Sequence, residues 1–193
     1  KKSLLAPIKY LLSADFSLRF MKWRQKLAAS SSLCRYFMRS RYAPPVEHLD
    51  MDTFGMHFSS PVGLAAGYDT NGTLIDAMDA MGFGFIEIGA VTPRPQHDHT
   101  TPAIHKFKKD HAILNCADIN SDGVERVIEN IKQHNSKIII GCNIAKNTAT
   151  EPEDAPRDYL RLFRPLYQYV DYFTVNICLN TTGKPYVPCQ KEE

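Results

Sequence analysis

An α/β fold of parallel βαβ units is what this 193-residue sequence predicts, and three observations predict it. Short apolar, β-rich runs alternate with helical stretches, and such alternation builds a parallel sheet. Polar and small residues gather just past the C-terminal end of each run, where barrel enzymes hold their sites. No G-x-G-x-x-G follows the first run, as a dinucleotide-binding doubly wound sheet would need. The expectation is therefore a partial (β/α)8 TIM barrel of about four units over residues 46–193, preceded by a small helical segment over residues 1–45.

The elements follow in order. Leu4, Leu5, Ile8, Leu11 and Leu12 make one apolar stripe over residues 4–12. Phe16, Phe20, Trp23 and Leu27 make another over 16–28, with Arg and Lys between them, so both read as amphipathic helices. A third helix, Leu33–Arg39, ends before Ala43-Pro44-Pro45, a linker signal. Met51–Phe58 is a short extended segment, and Pro61–Gly67 a buried strand ending in small residues. A helix over Gly72–Met81 and a strand over Gly84–Gly89 come next. The loop after them is rich in Pro and His and holds a short strand at Ile104–Phe107. Ser121 or Asp122 caps a helix over Val124–Gln133. Lys137–Ile144 is a strand, Pro152–Tyr169 a helix and Tyr172–Ile177 a strand.

Composition bounds the function. At 44% hydrophobic and 23% charged the chain is an ordinary globular protein. Its net charge of +2 is unevenly placed, because the first 45 residues carry nine of excess positive charge, with Asp15 the lone acid. Aromatics beside basic residues suit a helix lying in a lipid interface, and a solvated pair of basic helices fits the same pattern. No apolar run reaches the ~18 residues of a transmembrane helix. The N-terminus has no long apolar core followed by a small-residue cleavage site, so no signal peptide is read. Five cysteines without a C-x-x-C pair point to a reducing compartment. His97, His99, His105 and His111 punctuate a loop, but loop spacing fixes no coordination geometry, so no metal is expected. Arg94 and Lys106–Lys109 sit in a net acidic body, so no nucleic-acid partner is expected either.

Each strand end offers chemistry. Ala65-Ala66-Gly67-Tyr68-Asp69-Thr70 would let a flat ligand approach the backbone, or would simply make a tight turn. Asn143 and Asn176 stand within or at the end of apolar runs, where an amide needs partners. An amide donates and accepts at once, which suits a heterocycle with imide edges, although a satisfied core amide is the alternative.

These residues carry a resemblance. GLAAGYDTNG, GFGFIEIGAVTPRPQ, NIAKN and TVNI…NTTG, in this order and spacing, resemble dihydroorotate dehydrogenase, and the basic helical leader resembles its membrane-associated, quinone-dependent class. The resemblance implies an FMN over the C-terminal mouth of the barrel, with the protein positioning it and the cofactor carrying the redox chemistry. Dihydroorotate would give its C6 hydride to the flavin while a Ser or Cys removes the C5 proton. A quinone entering between the N-terminal helices would take the electrons, in pyrimidine (UMP) synthesis. Ala66, Gly67, Tyr68, Asp69, Thr70 and Ala90 would line the FMN, and Asn143 and Asn176 would bind its ring and the substrate. The segment Asn115, Cys116, Ala117, Asp118 and Ile119, together with Asn180, would hold the orotate edge. Localisation on the cytoplasmic face of a membrane, as a peripheral protein, follows from the same resemblance.

The departures are as informative. Thr70 stands where the family carries a Lys, and Ala90 where it carries a Thr that touches the flavin. Ala145 replaces the Gly of its NIGKN pattern. Asp118 brings a carboxylate toward a carboxylate substrate, and like charges repel. Pro165 interrupts a helical stretch. The catalytic loop is one residue short between Asn176 and Asn180. Either Cys178 is the base and Leu179 replaces the family's Pro, or no base remains. Only four of the eight expected units are present, which leaves open sheet edges able to pair with a second copy. The alternative to an enzyme is a non-catalytic relative acting as a membrane-associated interaction module.

Overall fold

The computed structural model describes residues 14–43, 49–97, 104–107, 109–115 and 118–177. The expected helix over 4–12, the linker Pro44-Pro45, and the loop with Cys178, Leu179 and Asn180 lie outside them. Two helices, α1 (Ala14–Ala29) and α2 (Ser32–Tyr42), come first. Met51–Phe58 folds as an antiparallel hairpin of β1 (Met51–Thr53) and β2 (Met56–Phe58). Phe54 and Gly55 turn it, both at positive φ.

The body is a four-stranded parallel sheet in the order β3, β4, β7, β8. Its strands are β3 (Gly63–Leu64), β4 (Phe85–Val91), β7 (Ile139–Ile144) and β8 (Tyr172–Val175). The crossovers carry α3 (Ile75–Ala80), α4 (Val124–Ile131) and α5 (Ala155–Leu166). An open doubly wound sheet reverses its strand order at a switch point, and these four strands run in chain order without one.

One hydrophobic layer holds the helices to the sheet. Ile86 and Ile88 of β4, and Ile140, Cys142 and Ile144 of β7, alternate onto the same face and are buried. Met78 of α3, Val127 and Ile131 of α4, and Leu162 and Leu166 of α5 pack on them. Each such side chain contributes about 1.5–3 kcal/mol by leaving water.

Several boundaries differ from expectation for identifiable reasons. The strand expected over 61–67 pairs only at Gly63 and Leu64, because the chain then turns through Gly67, at φ +100°. The helix expected from Gly72 begins at Ile75, since the Asp69 carboxylate takes the N–H groups of Thr73 and Leu74 into a loop. Neither Ser121 nor Asp122 caps α4; the N-cap is Gly123, at φ +84°, with no side-chain cap bond. Ser121 Oγ instead accepts from Gly123 N and from Thr92 N across 29 residues. The helix expected over 152–169 is a 3-10 turn at Pro152–Asp154 followed by α5. Pro165 lies inside its last turn. The Tyr167 N–H still reaches Phe163 O at 2.9 Å, so the helix closes around the missing donor.

The strand at Ile104–Phe107 (β5) has an unexpected antiparallel partner, β6 (Ala112–Asn115). Asn115, expected in a substrate loop, thus ends a strand in register with Ile104.

Helices α1 and α2 pack on α3. Ala29 enters the core, Arg39 bonds Asp79 at 2.6 Å, and Gln25 reaches the Met81 sulfur at 3.7 Å. Their outer surface keeps Phe16, Phe20, Trp23, Leu33, Tyr36 and Phe37 exposed. Among the described residues no helix is long and apolar enough to cross a membrane.

Candidate functional site at the strand ends

The face of the sheet turned away from the helices is polar at its centre. Glu87 sits in β4 between Ile86 and Ile88, so alternation turns its carboxylate to that face. Asn143 on β7 and Tyr172 and Thr174 on β8 share the face by register. They converge on Glu87: Asn143 Nδ2 donates at 3.0 Å, Thr174 Oγ1 at 3.0 Å and Tyr172 OH at 3.4 Å. Burial, together with the Glu87 charge, pushes the Tyr172 phenol up to about 12. Gly141 makes room, since a Cβ there would run into the Tyr172 ring.

Asn143 is 9% exposed, and its Oδ1 is buried with no hydrogen-bond partner among the described residues. A buried carbonyl left unpaired costs about 1–3 kcal/mol, so the atom marks a place where a donor belongs. Asn176, beyond β8, is tied to the same strand end, donating its N–H to Ile144 O at 2.9 Å.

The turn after β3 lies against the bulge in β4. Gly67 N donates to Gly89 O at 2.8 Å, and Gly89 N donates to Asp69 O at 3.2 Å. Open space surrounds the position where a Gly67 Cβ would stand, so a ligand could approach its backbone. The neighbouring side chains point elsewhere. The Tyr68 hydroxyl donates to Gln25 of α1 at 2.8 Å, and Lys22 lies 5.0 Å over its ring. Asp69 is 3% exposed and closes the loop to α3. Burial raises its carboxyl above the usual value, against the opposing pull of Thr73 and Leu74 N–H and of Lys22. Of the expected FMN-lining stretch, Gly67 is therefore available through its backbone and Ala66 is half-buried, whereas the side chains of Tyr68 and Asp69 support the loop. Thr70 and Ala90 are half-buried.

A second network fixes the rim. Asn147 clamps Arg94, donating to its O and accepting from its N, both at 3.0 Å. Gln96 Oε1 accepts from Asn147 Nδ2 at 2.9 Å and from Thr148 N at 3.0 Å. Its Nε2 donates to Ile119 O at 3.0 Å and to Thr148 Oγ1 at 2.9 Å. Asp118 is held there too, accepting from Thr148 Oγ1 at 3.0 Å and from Ile119 N at 2.8 Å. Lys146, 1% exposed, turns into the protein and donates to Thr150 O at 2.7 Å.

Sequence reasoning singled out Asn143 and Asn176 and missed Glu87, Tyr172 and Thr174. One signal was legible: a charged residue in an apolar strand, between two isoleucines, is expensive to bury without partners. Cys116, Ala117, Cys178 and Asn180 lie outside the described residues, so the structure does not place them. Buried Cys142 is pushed up to about 12 by desolvation and Glu87, which leaves a structural thiol. Among the described residues no three His, Cys, Asp or Glu side chains gather as a metal site, and His97 lies 3.9 Å from Asp122.

Fold and site together define a parallel α/β protein with a polar cluster on the sheet face turned away from its helices. The chain belongs to the dihydroorotate dehydrogenase family, whose model matches residues 48–192. It is 36% identical over 180 residues to the dihydroorotate dehydrogenase (quinone) of Christiangramia forsetii, covering 91% of this chain and 52% of that protein. Against the enzyme of the same name from Acinetobacter baumannii the identity is 46% over 132 residues, covering 68% of this chain and 40% of that one. The crystal structure of Eimeria tenella DHODH in complex with ferulenol superposes with a TM-score of 0.63 at 31% identity, covering 81% of this chain and 45% of that one. The chain thus spans about half the length of the curated relatives it matches.

Proposed function

We propose that this chain forms part of a (β/α)8 barrel that holds FMN over its C-terminal strand ends. There it oxidises dihydroorotate to orotate, with a quinone as electron acceptor, in pyrimidine synthesis. The observation that carries this reading is the buried, unpartnered Oδ1 of Asn143 on the polar face of the sheet.

The residues present fit the ring portion of such a cofactor. Gly67 offers backbone with open space above it, Ala66 and Ala90 are small, and Asn143 and Asn176 supply amides at the neighbouring strand ends. When bound, the flavin supplies the hydride acceptor. The protein's share is to orient the pyrimidine edge with Asn115, Ile119 and Asn180, and to remove the C5 proton with Cys178. A thiol acts as a base only through its thiolate, so this step calls for positive charge or N–H donors beside the sulfur. Thr70 contributes no positive charge where the family carries a Lys, and Asp118 adds a negative one at the rim. Both weaken the hold on an anionic substrate.

Residues 1–45 and 46–193 act in this reading as a membrane-facing segment and a cofactor domain. The exposed Phe16, Phe20 and Trp23 beside Arg19 and Arg24 support a peripheral position on the cytoplasmic face of a membrane, with the quinone entering there. A second reading, a non-catalytic self-associating relative, is favoured by apolar surface beside β8. Leu160, Phe163, Tyr167, Val175 and Ile177 are exposed there, as a strand edge awaiting a neighbour would be.

One preparation of purified protein tests these readings. Yellow protein with flavin absorbance, dihydroorotate-dependent dye reduction and retention on anionic vesicles is the expected result. Colourless protein that FMN does not reconstitute, and that reduces no dye, removes the enzyme reading. A dimer on size exclusion would then leave the second reading standing, and a monomer would remove that as well.

A further inference from the structure

The Glu87 carboxylate does more than fill the centre of the sheet. Ionised, it is acceptor-only, so of the two ends of the Asn143 amide it can bond only the NH2. It does so, with Asn143 Nδ2 donating to Glu87 Oε1 at 3.0 Å. The other carboxylate oxygen is steadied by Thr174 Oγ1 at 3.0 Å and Tyr172 OH at 3.4 Å, both neutral donors from β8. The acid is therefore braced from two strands and cannot swing away without losing both. An asparagine between neutral partners could flip its amide and present either end. Here a flip would bring Oδ1 against a carboxylate oxygen, where two acceptors repel.

We propose that Glu87 is a positioning residue that locks the Asn143 amide with its carbonyl toward the ligand, making this position an acceptor that selects a ring N–H. The inference rests on the flavin and pyrimidine reading of the site and sharpens it. The edge that docks at Asn143 must carry a hydrogen on nitrogen, as a lactam or imide does. A ring presenting only carbonyl oxygens or unprotonated nitrogens at that edge is rejected, because Oδ1 would stay buried and unpaired. The fixed amide also means that its own orientation need not change on binding, which lowers that part of the ordering cost.

The isosteric Glu87→Gln is the test, because it keeps the shape and frees the amide to flip. FMN affinity, followed by the quenching of flavin fluorescence, is measured in a cycle with Asn143→Ala. Glu87→Gln should weaken FMN binding about tenfold with Asn143 present, the loss of one oriented bond. In the Asn143→Ala background it should have less than about a twofold effect. Equal losses in both backgrounds would show a merely structural glutamate and overturn the proposal.

A second measurement needs neither cofactor nor variant. In isotope-labelled wild-type protein the Asn143 side-chain NH2 should give one slowly exchanging pair of signals, with a coupling across the hydrogen bond to the Glu87 carboxylate carbon. Two interconverting orientations would defeat the idea even if Glu87→Gln failed to fold. Protein that binds no FMN yet shows the single locked amide would uphold Glu87 as the positioning residue while removing the flavin reading on which its ligand rests.

Discussion

Replacing Gly89 by alanine should remove about 2–6 kcal/mol of the stability of this chain. Gly89 lies at the bulge in β4 with φ +112°, a conformation L-residues rarely adopt. Forcing a non-glycine residue there costs about 1–3 kcal/mol. The new Cβ would also be driven into the carbonyl oxygen of Asn143 on the adjacent strand. That obstacle is backbone inside the sheet, so relief requires β4 and β7 to separate, and overpacking of this kind costs about 1–3 kcal/mol more. The combined loss of about 2–6 kcal/mol is a large share of the ~5–15 kcal/mol that holds a typical domain together. Thermal unfolding followed by circular dichroism should show a midpoint lowered by about 5–20 degrees. A variant melting within about two degrees of the parent would mean that the β4 bulge does not have this geometry. Displacing the Asn143 backbone carbonyl would also move its side-chain amide, so in the flavin reading FMN binding should fall with stability.

The second large effect is expected at Asp158, near the start of α5. Its carboxylate is 3% exposed and accepts from Thr150 Oγ1 at 2.6 Å and from Asn147 N at 3.2 Å. Arg161 lies one turn on, with Nη1 at 3.5 Å. Hydrogen bonds to a charged acceptor are stronger than neutral ones, and removing that acceptor leaves its buried donors unpaired, so Asp158→Ala should cost about 3 kcal/mol. The consequence extends beyond stability. Asn147 is the clamp on Arg94 and Gln96, so freeing its backbone loosens the rim above β4. Native-state hydrogen exchange should show the Asn147, Thr148 and Gln96 amides opening faster by tenfold or more, while α4 amides stay protected. Uniform loss of protection throughout would indicate simple destabilisation and reject the clamp.

These residues show what was readable in advance. The alternation of apolar runs and helical stripes located β4, β7, β8 and the helices to within a few residues, because which face a side chain buries is a local property with a fixed period. The motifs in GFGFIEIGAVTPRPQ and TVNI…NTTG pointed to the family that the comparisons then showed. Of the β5–β6 hairpin only β5 is legible in the sequence, because β6 is four residues long, too short for a period to mark it. Ser121 was taken for a helix cap because its type and position fit one, but its hydroxyl serves Thr92, 29 residues away.

The site divides the same way. Asn143 stood out because an amide in an apolar strand needs a partner, yet the partner's identity was not in the local sequence. Glu87 lies 56 residues before Asn143 and 87 before Thr174, and only a parallel register brings the three together. The family resemblance puts Tyr68 and Asp69 in the lining of a flavin, and the folded chain ties their side chains to α1 and to the loop before α3.

By itself, then, the sequence determined an α/β chain of the dihydroorotate dehydrogenase family, with amides at its strand ends and a basic, aromatic leader, since periodicity and motif spacing are local facts. Only the tertiary structure decided the sequential strand order, the Glu87 brace, the buried, unpartnered carbonyl of Asn143 and the demand for glycine at position 89. Each of those depends on which distant backbone lies within about 3 Å, and hydrogen bonds and steric exclusion act only at that range.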